Sequence, residues 1–325
     1  MSYIKELISE LELNLQQLPL EKEPKNLYDP IRYTLSLGGK RLRPLLTLLG
    51  YQLFKEDYQK VIQPALAIEV FHNFTLVHDD IMDQAPTRRG KPSVYKKWDE
   101  NIAILSGDVM QVEAYKLLTG IDTNHLAEVI NLFSTCASDV CEGQQYDMDF
   151  EERDDVSEAE YIEMIRLKTA VLVGFALQLG AIVAGTDQQQ ADLLREFGEQ
   201  VGIGFQLKDD LLDVYGDQEK FGKQVGGDII SNKKTFLLIN ALQKANPAQK
   251  EELENWISKT TFDAEEKVKA VTRIYNEIGI KELTEQKINE YFDNGFKQLE
   301  IVSCNSNSAK EVLKQFVEQL IERES

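Results

Sequence analysis

At 325 residues the chain suffices for one large domain or two ordinary ones, and 42% hydrophobic residues supply a well-buried core. Its 36 Lys and Arg against 55 Asp and Glu give a formal net charge of -19, which repels nucleic acid and anionic lipid at long range and argues against both as partners. An anionic substrate must therefore be met by local basic side chains or by bound cations.

Residues 1–20 carry Lys5, Glu6, Glu10 and Glu12 among their apolar positions, so they read as an amphipathic helix and not as a signal peptide. Almost every later segment shows helical periodicity, and no run of β-branched residues is bounded by hairpin turns; the fold class expected is all-α. After a charged linker at 21–25, Asp29-Pro30 predicts a capped helix start with Ile31, Thr34 and Leu35 facing inward. That helix ends in Gly38-Gly39-Lys40-Arg41-Leu42-Arg43-Pro44, with Pro44 opening the next one. From Pro64, the apolar positions Leu66, Val70, Phe74 and Val77 lead into Asp79-Asp80-Ile81-Met82-Asp83. Residues 84–95, with Pro86, Gly90 and Pro92, read as a loop, and residues 105–118 as a helix in which Asp108 caps or makes a structural hydrogen bond.

Residues 142–147 are expected to end another helix, followed by a solvated acidic connection containing Asp154-Asp155. Residues 161–185 form a helix or pair with Lys168-Thr169 at the start; their most apolar part, 170–185, holds Gln178 and three glycines and is short for a membrane span. A helix through 197–207 leads to Asp209-Asp210-Leu211-Leu212-Asp213, and Gly-rich, basic segments follow at 221–228 and 232–235. Beyond residue 245 the chain reads as amphipathic helix without identifiable chemistry. No domain boundary, repeat or low-complexity tract interrupts it, which implies a single domain over 1–325. Cys136, Cys141 and Cys304 are odd in number and lack Cys-x-x-Cys spacing, so a reducing cytoplasm is the expected setting, without a disulfide framework or a zinc site.

The two Asp-Asp-x-x-Asp motifs carry the chemistry. On a helix the first and last carboxylates fall one turn apart on one side. They repel one another unless a hard cation takes their oxygens, and Mg²⁺ typically uses one or two carboxylates while phosphates and water complete its octahedron. With 22 Asp in the chain, roughly 0.1 such motifs arise by chance, so two on apolar helices point to paired acidic clusters across one polyphosphate.

Read in order, Gly38-Gly39-Lys40-x-x-Arg43-Pro44, His72, Asp79-Asp80-x-x-Asp83, Arg88-Arg89-Gly90, Gly143-Gln144-x-x-Asp147, Lys168-Thr169, Phe205-Gln206-x-x-Asp209-Asp210-x-x-Asp213, Gly222-Lys223 and Lys233 resemble the trans-polyprenyl diphosphate synthases. The resemblance implies one large helical bundle with a deep central cavity, paired as a homodimer. It implies Mg²⁺-dependent, head-to-tail condensation of isopentenyl diphosphate with an allylic diphosphate (dimethylallyl, geranyl or farnesyl). By similarity, Asp79, Asp83 and Asp209 are the main Mg²⁺ ligands, completed by Asp80, Asp210 and Asp213. Arg88, Lys168 and Lys223 hold the allylic diphosphate, and Lys40, Arg43, His72 and Arg89 hold isopentenyl diphosphate. Thr169, Gln206, Lys233, Gln144 and Asp147 line the reacting region.

Product length in this family depends on what blocks the cavity floor. Phe74 and Phe71, five and eight residues before Asp79, lie one and two turns back along the helix and are the candidate stoppers. Thr75, at the fourth position, is small, and a lone aromatic at the fifth resembles the archaeal geranylgeranyl type, with the farnesyl type close behind. Two other readings stay open: a class I terpene cyclase, which would not need Lys40, Arg43 and Arg89, and a non-catalytic regulatory homologue.

Overall fold

The computed structural model describes residues 2–216 and 226–322, and among them all regular structure is helical except one short hairpin. Contacts divide the chain into two units. The first comprises Met1–Ser134, Phe175–Asp192 and Ser303–Leu313, and the second Thr135–Gly174, Leu193–Val302 and Lys314–Ser325.

In the first unit, α1 (Ser2–Gln16) buries Leu7, Leu11 and Leu15, one per turn, as its amphipathic pattern requires. It packs on α3 (Leu42–Gln52) and on α4 (Ile62–Met82), the helix that ends in the first acidic motif. Helix α4 is apolar nearly all round, and it is enclosed further by α2 (Lys25–Ser36), α5 (Val94–Lys97) and α6 (Glu100–Leu118). The predicted start of α2 is corrected: the helix begins at Lys25 and Pro30 lies inside it. The carbonyl that proline leaves without its helical donor is that of Asn26, which is exposed and can be served by water. Asp29 bonds Arg32 at 2.8 Å instead of capping.

Helix α7 (Thr123–Glu151) corrects a second expectation, since it continues through Gly143 and Asp147 for another turn. From Glu158 to Ala184 one helical run follows: α8 (Glu158–Ile165), opened by a Ser157–Glu160 capping box, a π segment (Arg166–Ala170), and α9 (Val171–Ala184). By length and apolarity this run could cross a membrane, but 83% of its apolar window is buried within the protein, as a core helix is. Where α9 meets α3 the backbones touch: a Cβ on Gly180 would lie 2.2 Å from the Thr47 carbonyl oxygen, and one on Gly50 2.6 Å from that of Leu177.

The second unit holds most of α10 (Gln188–Tyr215), the helix of the second acidic motif, and the short α11 (Gly227–Ile230). Helix α12 (Phe236–Lys244) packs on α8, α14 (Ala264–Ile278) and α15 (Ile280–Ile301), while α13 (Pro247–Ser258) covers α14. The last helix is α16 (Asn307–Glu322).

Candidate functional site

In the first unit the site begins where α4 stops. Gln84 takes a left-handed φ of 50° and donates to the Ile81 carbonyl, while Ala85 donates to that of Asp80, so the helix closes in a Schellman motif with Asp83 as its C-cap. The predicted loop then contains a hairpin, Thr87–Arg88 paired with Lys91–Pro92. Its two turn residues, Arg89 and Gly90, both have positive φ (53° and 73°), as a type I′ turn requires. The hairpin returns Arg88 to α4, where Nε donates to Asp80 Oδ1 at 3.0 Å and the adjacent Nη2 binds the same oxygen. Asp80 is buried by this contact; burial pushes its carboxyl up and Arg88 opposes the shift. Asp79 is half-buried and Asp83 exposed.

Arg89 reaches the glycine-rich loop. Its guanidinium lies 2.9 Å from where a Cβ on Gly39 would stand, and Gly39 holds φ 145°. Lys40 is exposed beside it, and Arg43 Nη1 lies 3.2 Å from His72 Nε2. Burial lowers the imidazole pKa well below its usual value, and the charges of Arg43, Arg89, Arg88 and Arg41 push the same way. His72 is therefore neutral, with Nε2 accepting from Arg43. The result is an arginine-rich pocket with a neutral imidazole, suited to a diphosphate anion.

In the second unit the π segment carries Lys168 and Thr169. Its Val171 N–H bonds the Arg166 carbonyl five residues back. Helix α7 lies against it so closely that a Cβ on Gly143 would be 2.2 Å from the Lys168 nitrogen, which explains a glycine in mid-helix. On the next turn of α7, Asp147 holds two lysines: Lys168 Nζ at 2.6 Å and Lys233 Nζ at 3.5 Å. Burial would raise the Asp147 pKa, but Lys233 and Lys168 together hold it below the usual carboxylate value. Thr169 Oγ1 donates to Gln206 Oε1 at 3.3 Å, and Gln206 Nε2 donates to Asp210 Oδ1 at 3.1 Å. The other oxygen of Asp210 accepts from Tyr161. Burial and the neighbouring Asp228 push Asp210 up to about 7 despite these donors and Lys233. Asp213 accepts the Asp228 backbone N–H at 2.9 Å, and Asp209 is exposed. Gln144 is buried with neither amide atom bonded.

The polyprenyl synthetase family model matches residues 24–275. The geranylgeranyl pyrophosphate synthase of Geoglobus acetivorans is 38% identical over 95% of both chains. The geranylfarnesyl diphosphate synthase of Natronomonas pharaonis is 34% identical over 95% of this chain and 93% of its own. A crystal structure of a geranylgeranyl pyrophosphate synthase superposes with a TM-score of 0.93 at 43% identity, covering 100% of this chain and 99% of the other. The chain belongs to the polyprenyl synthetase family. It is a prenyltransferase with the all-α isoprenoid synthase fold.

For a polyprenyl synthetase the donor set is suitable for magnesium: the acidic motifs offer hard oxygen ligands only, with Asp83 and Asp209 exposed. Among the described residues no group of three or more His, Cys, Asp or Glu side chains is arranged to hold a metal by itself. Lys223 lies outside the described residues. The expected floor aromatics meet at their rings, Phe71 with Phe74 at 5.4 Å, Phe71 with Phe133 at 5.1 Å and Phe74 with His78 at 4.8 Å. Thr75 is half-buried and bonds the His72 carbonyl. Asp108 is not a cap: it is exposed in mid-α6, 3.9 Å from His78. Tyr161, Phe133, Arg41 and Glu69 carried no signal in the sequence, because each acts through partners 28 or more residues away.

Proposed function

We propose that this prenyltransferase joins isopentenyl diphosphate to an allylic diphosphate, head to tail, and that its main product is geranylgeranyl diphosphate. The observation that carries the reading is the pocket of Arg43, Arg89 and neutral His72 two turns back along α4 from Asp79: a condensing enzyme needs a second anion site there, and a cyclase does not. Lys40, Arg43, His72 and Arg89 hold isopentenyl diphosphate; Arg88, Lys168, Lys223 and Lys233 hold the allylic diphosphate. Asp79 and Asp83, with Asp80 in support, would hold magnesium on the first motif, and Asp209, with Asp210 and Asp213 in support, on the second; the bound ion would supply positive charge to stabilise the leaving diphosphate. Thr169 and Gln206 steady Asp210. The allylic carbon–oxygen bond breaks, the alkene of isopentenyl diphosphate forms the new carbon–carbon bond, and the proton lost goes to the departing diphosphate. The apolar α4 face keeps water from the cation. Phe74, backed by Phe71 and beside the small Thr75, stops growth at twenty carbons.

The chain works as a cytoplasmic homodimer in this reading. Helix α6 exposes Leu105 (57%) and Val112 (51%) along one face, with Ile104 beside them, an apolar stripe that a second copy covers. The test is a product assay with Mg²⁺, labelled isopentenyl diphosphate and each allylic starter, the products being dephosphorylated and sized. A ladder ending at twenty carbons, abolished in Asp79→Ala, is expected. A hydrocarbon formed without isopentenyl diphosphate would instead establish a cyclase, and no product from any starter a non-catalytic homologue.

A further inference from the structure

Within the glycine-rich loop, Lys40 points to water but Arg41 turns inward. It is 3% exposed and holds a left-handed φ of 48°, a conformation that a non-glycine residue keeps only where its surroundings enforce it. Its guanidinium is held on three sides. Nε donates to Glu12 Oε1 at 2.7 Å and Nη2 to Glu12 Oε2 at 3.3 Å. Nη1 donates to Glu69 Oε1 at 2.5 Å, and Nη2 also donates to the Leu35 carbonyl at 2.8 Å. Glu69 is itself 3% exposed and accepts from Asn73 Nδ2 at 3.0 Å.

A buried ion cluster of this kind is a weak stabiliser compared with apolar packing. Its position is informative. Arg41 lies two residues before Arg43 in the chain, and Glu69 lies one turn before His72 on α4, so the cluster clamps the two segments whose side chains meet at 3.2 Å. Its charge is informative too. Two carboxylates around one guanidinium leave one negative charge. Burial lowers the Arg89 pKa, and Glu69 and Glu12 both counter that effect. They thus offset the repulsion of gathering Arg41, Arg43, Arg88 and Arg89 in one place before any anion arrives.

We propose that Glu12 and Glu69, acting through Arg41, are positioning residues for isopentenyl diphosphate, so that the N-terminal helix α1 helps to set the affinity of the anion pocket. This rests on the assignment of that diphosphate to Lys40, Arg43, His72 and Arg89. Glu12→Gln is the main variant, because the Glu12 side chain is 31% exposed and the change keeps its shape; Glu69→Gln and Glu12→Asp accompany it.

Steady-state kinetics are measured against each substrate separately. Binding of isopentenyl diphosphate is followed by calorimetry in magnesium-free buffer with chelator. In Glu12→Gln, KM and Kd for isopentenyl diphosphate are expected to rise about tenfold with KM for the allylic diphosphate and kcat unchanged, and Glu12→Asp to recover part of the loss. Unchanged binding in Glu12→Gln overturns the proposal, as does an equal rise in both KM values or a lowered melting temperature alone. A wild type that binds isopentenyl diphosphate but forms no prenyl product overturns the reaction proposed above and leaves the binding test in force. A wild type that does not bind it overturns the positioning role.

Discussion

Asp80 and Asp210 occupy the middle of their motifs, and both are committed to protein partners, Arg88 in one case and Tyr161 with Gln206 in the other. The Asp210 pKa is raised from 3.8 to about 7, so the folded chain binds its proton more tightly than the unfolded one. Its contribution to stability is complete below about pH 4 and is lost as pH rises through about 7. In metal-free protein, thermal melts between pH 4 and 8 should show this decline, and Asp210→Asn should flatten it. At Asp147, asparagine leaves Lys168 and Lys233 without a shared counter-charge; KM for the allylic diphosphate should rise severalfold with that for isopentenyl diphosphate unchanged. Phe74→Ala should lengthen the products beyond twenty carbons, read by the same sizing assay. The carboxylate spacing was legible in the sequence because it is local, four residues being one turn. The partner of Asp210 was not, since Tyr161 lies 49 residues away and only tertiary packing brings it there.

At the scale of elements, apolar periodicity located α4 and α10 but misjudged where helices begin and end. Gly143 resembled a terminator, yet it is the point where α7 touches the π segment. Gly143→Ala should destabilise the protein by about 1–3 kcal/mol, seen in thermal melts, because the atom it meets is backbone and cannot turn aside. At Gln84 the expected start of the loop coincides with the left-handed residue that closes α4, although that residue is not a glycine. In turn, Pro30 looked like a first residue because proline is favoured there, whereas the helix already begins at Lys25.

For the molecule as a whole, helical periodicity foretold an all-α fold and composition an acidic chain, but neither foretold a division of contacts into two units. Helices α7, α10 and α16 and the run Glu158–Ala184 each continue from one unit into the other. We therefore propose one cooperative domain over the whole chain. Calorimetry should show a single transition, and a fragment of residues 1–134 alone should fail to fold because it severs α7.

The π segment is in effect one residue inserted into a helix without lengthening its turn count. Such an insertion is a change of phase: everything before it is rotated by about 100° relative to an uninterrupted helix. Deleting Leu167 would preserve helical content and length while swinging Tyr161 away from Asp210, so the two halves of this helix are locked to one another by a count, and single-residue length changes here act like mutations of every side chain upstream.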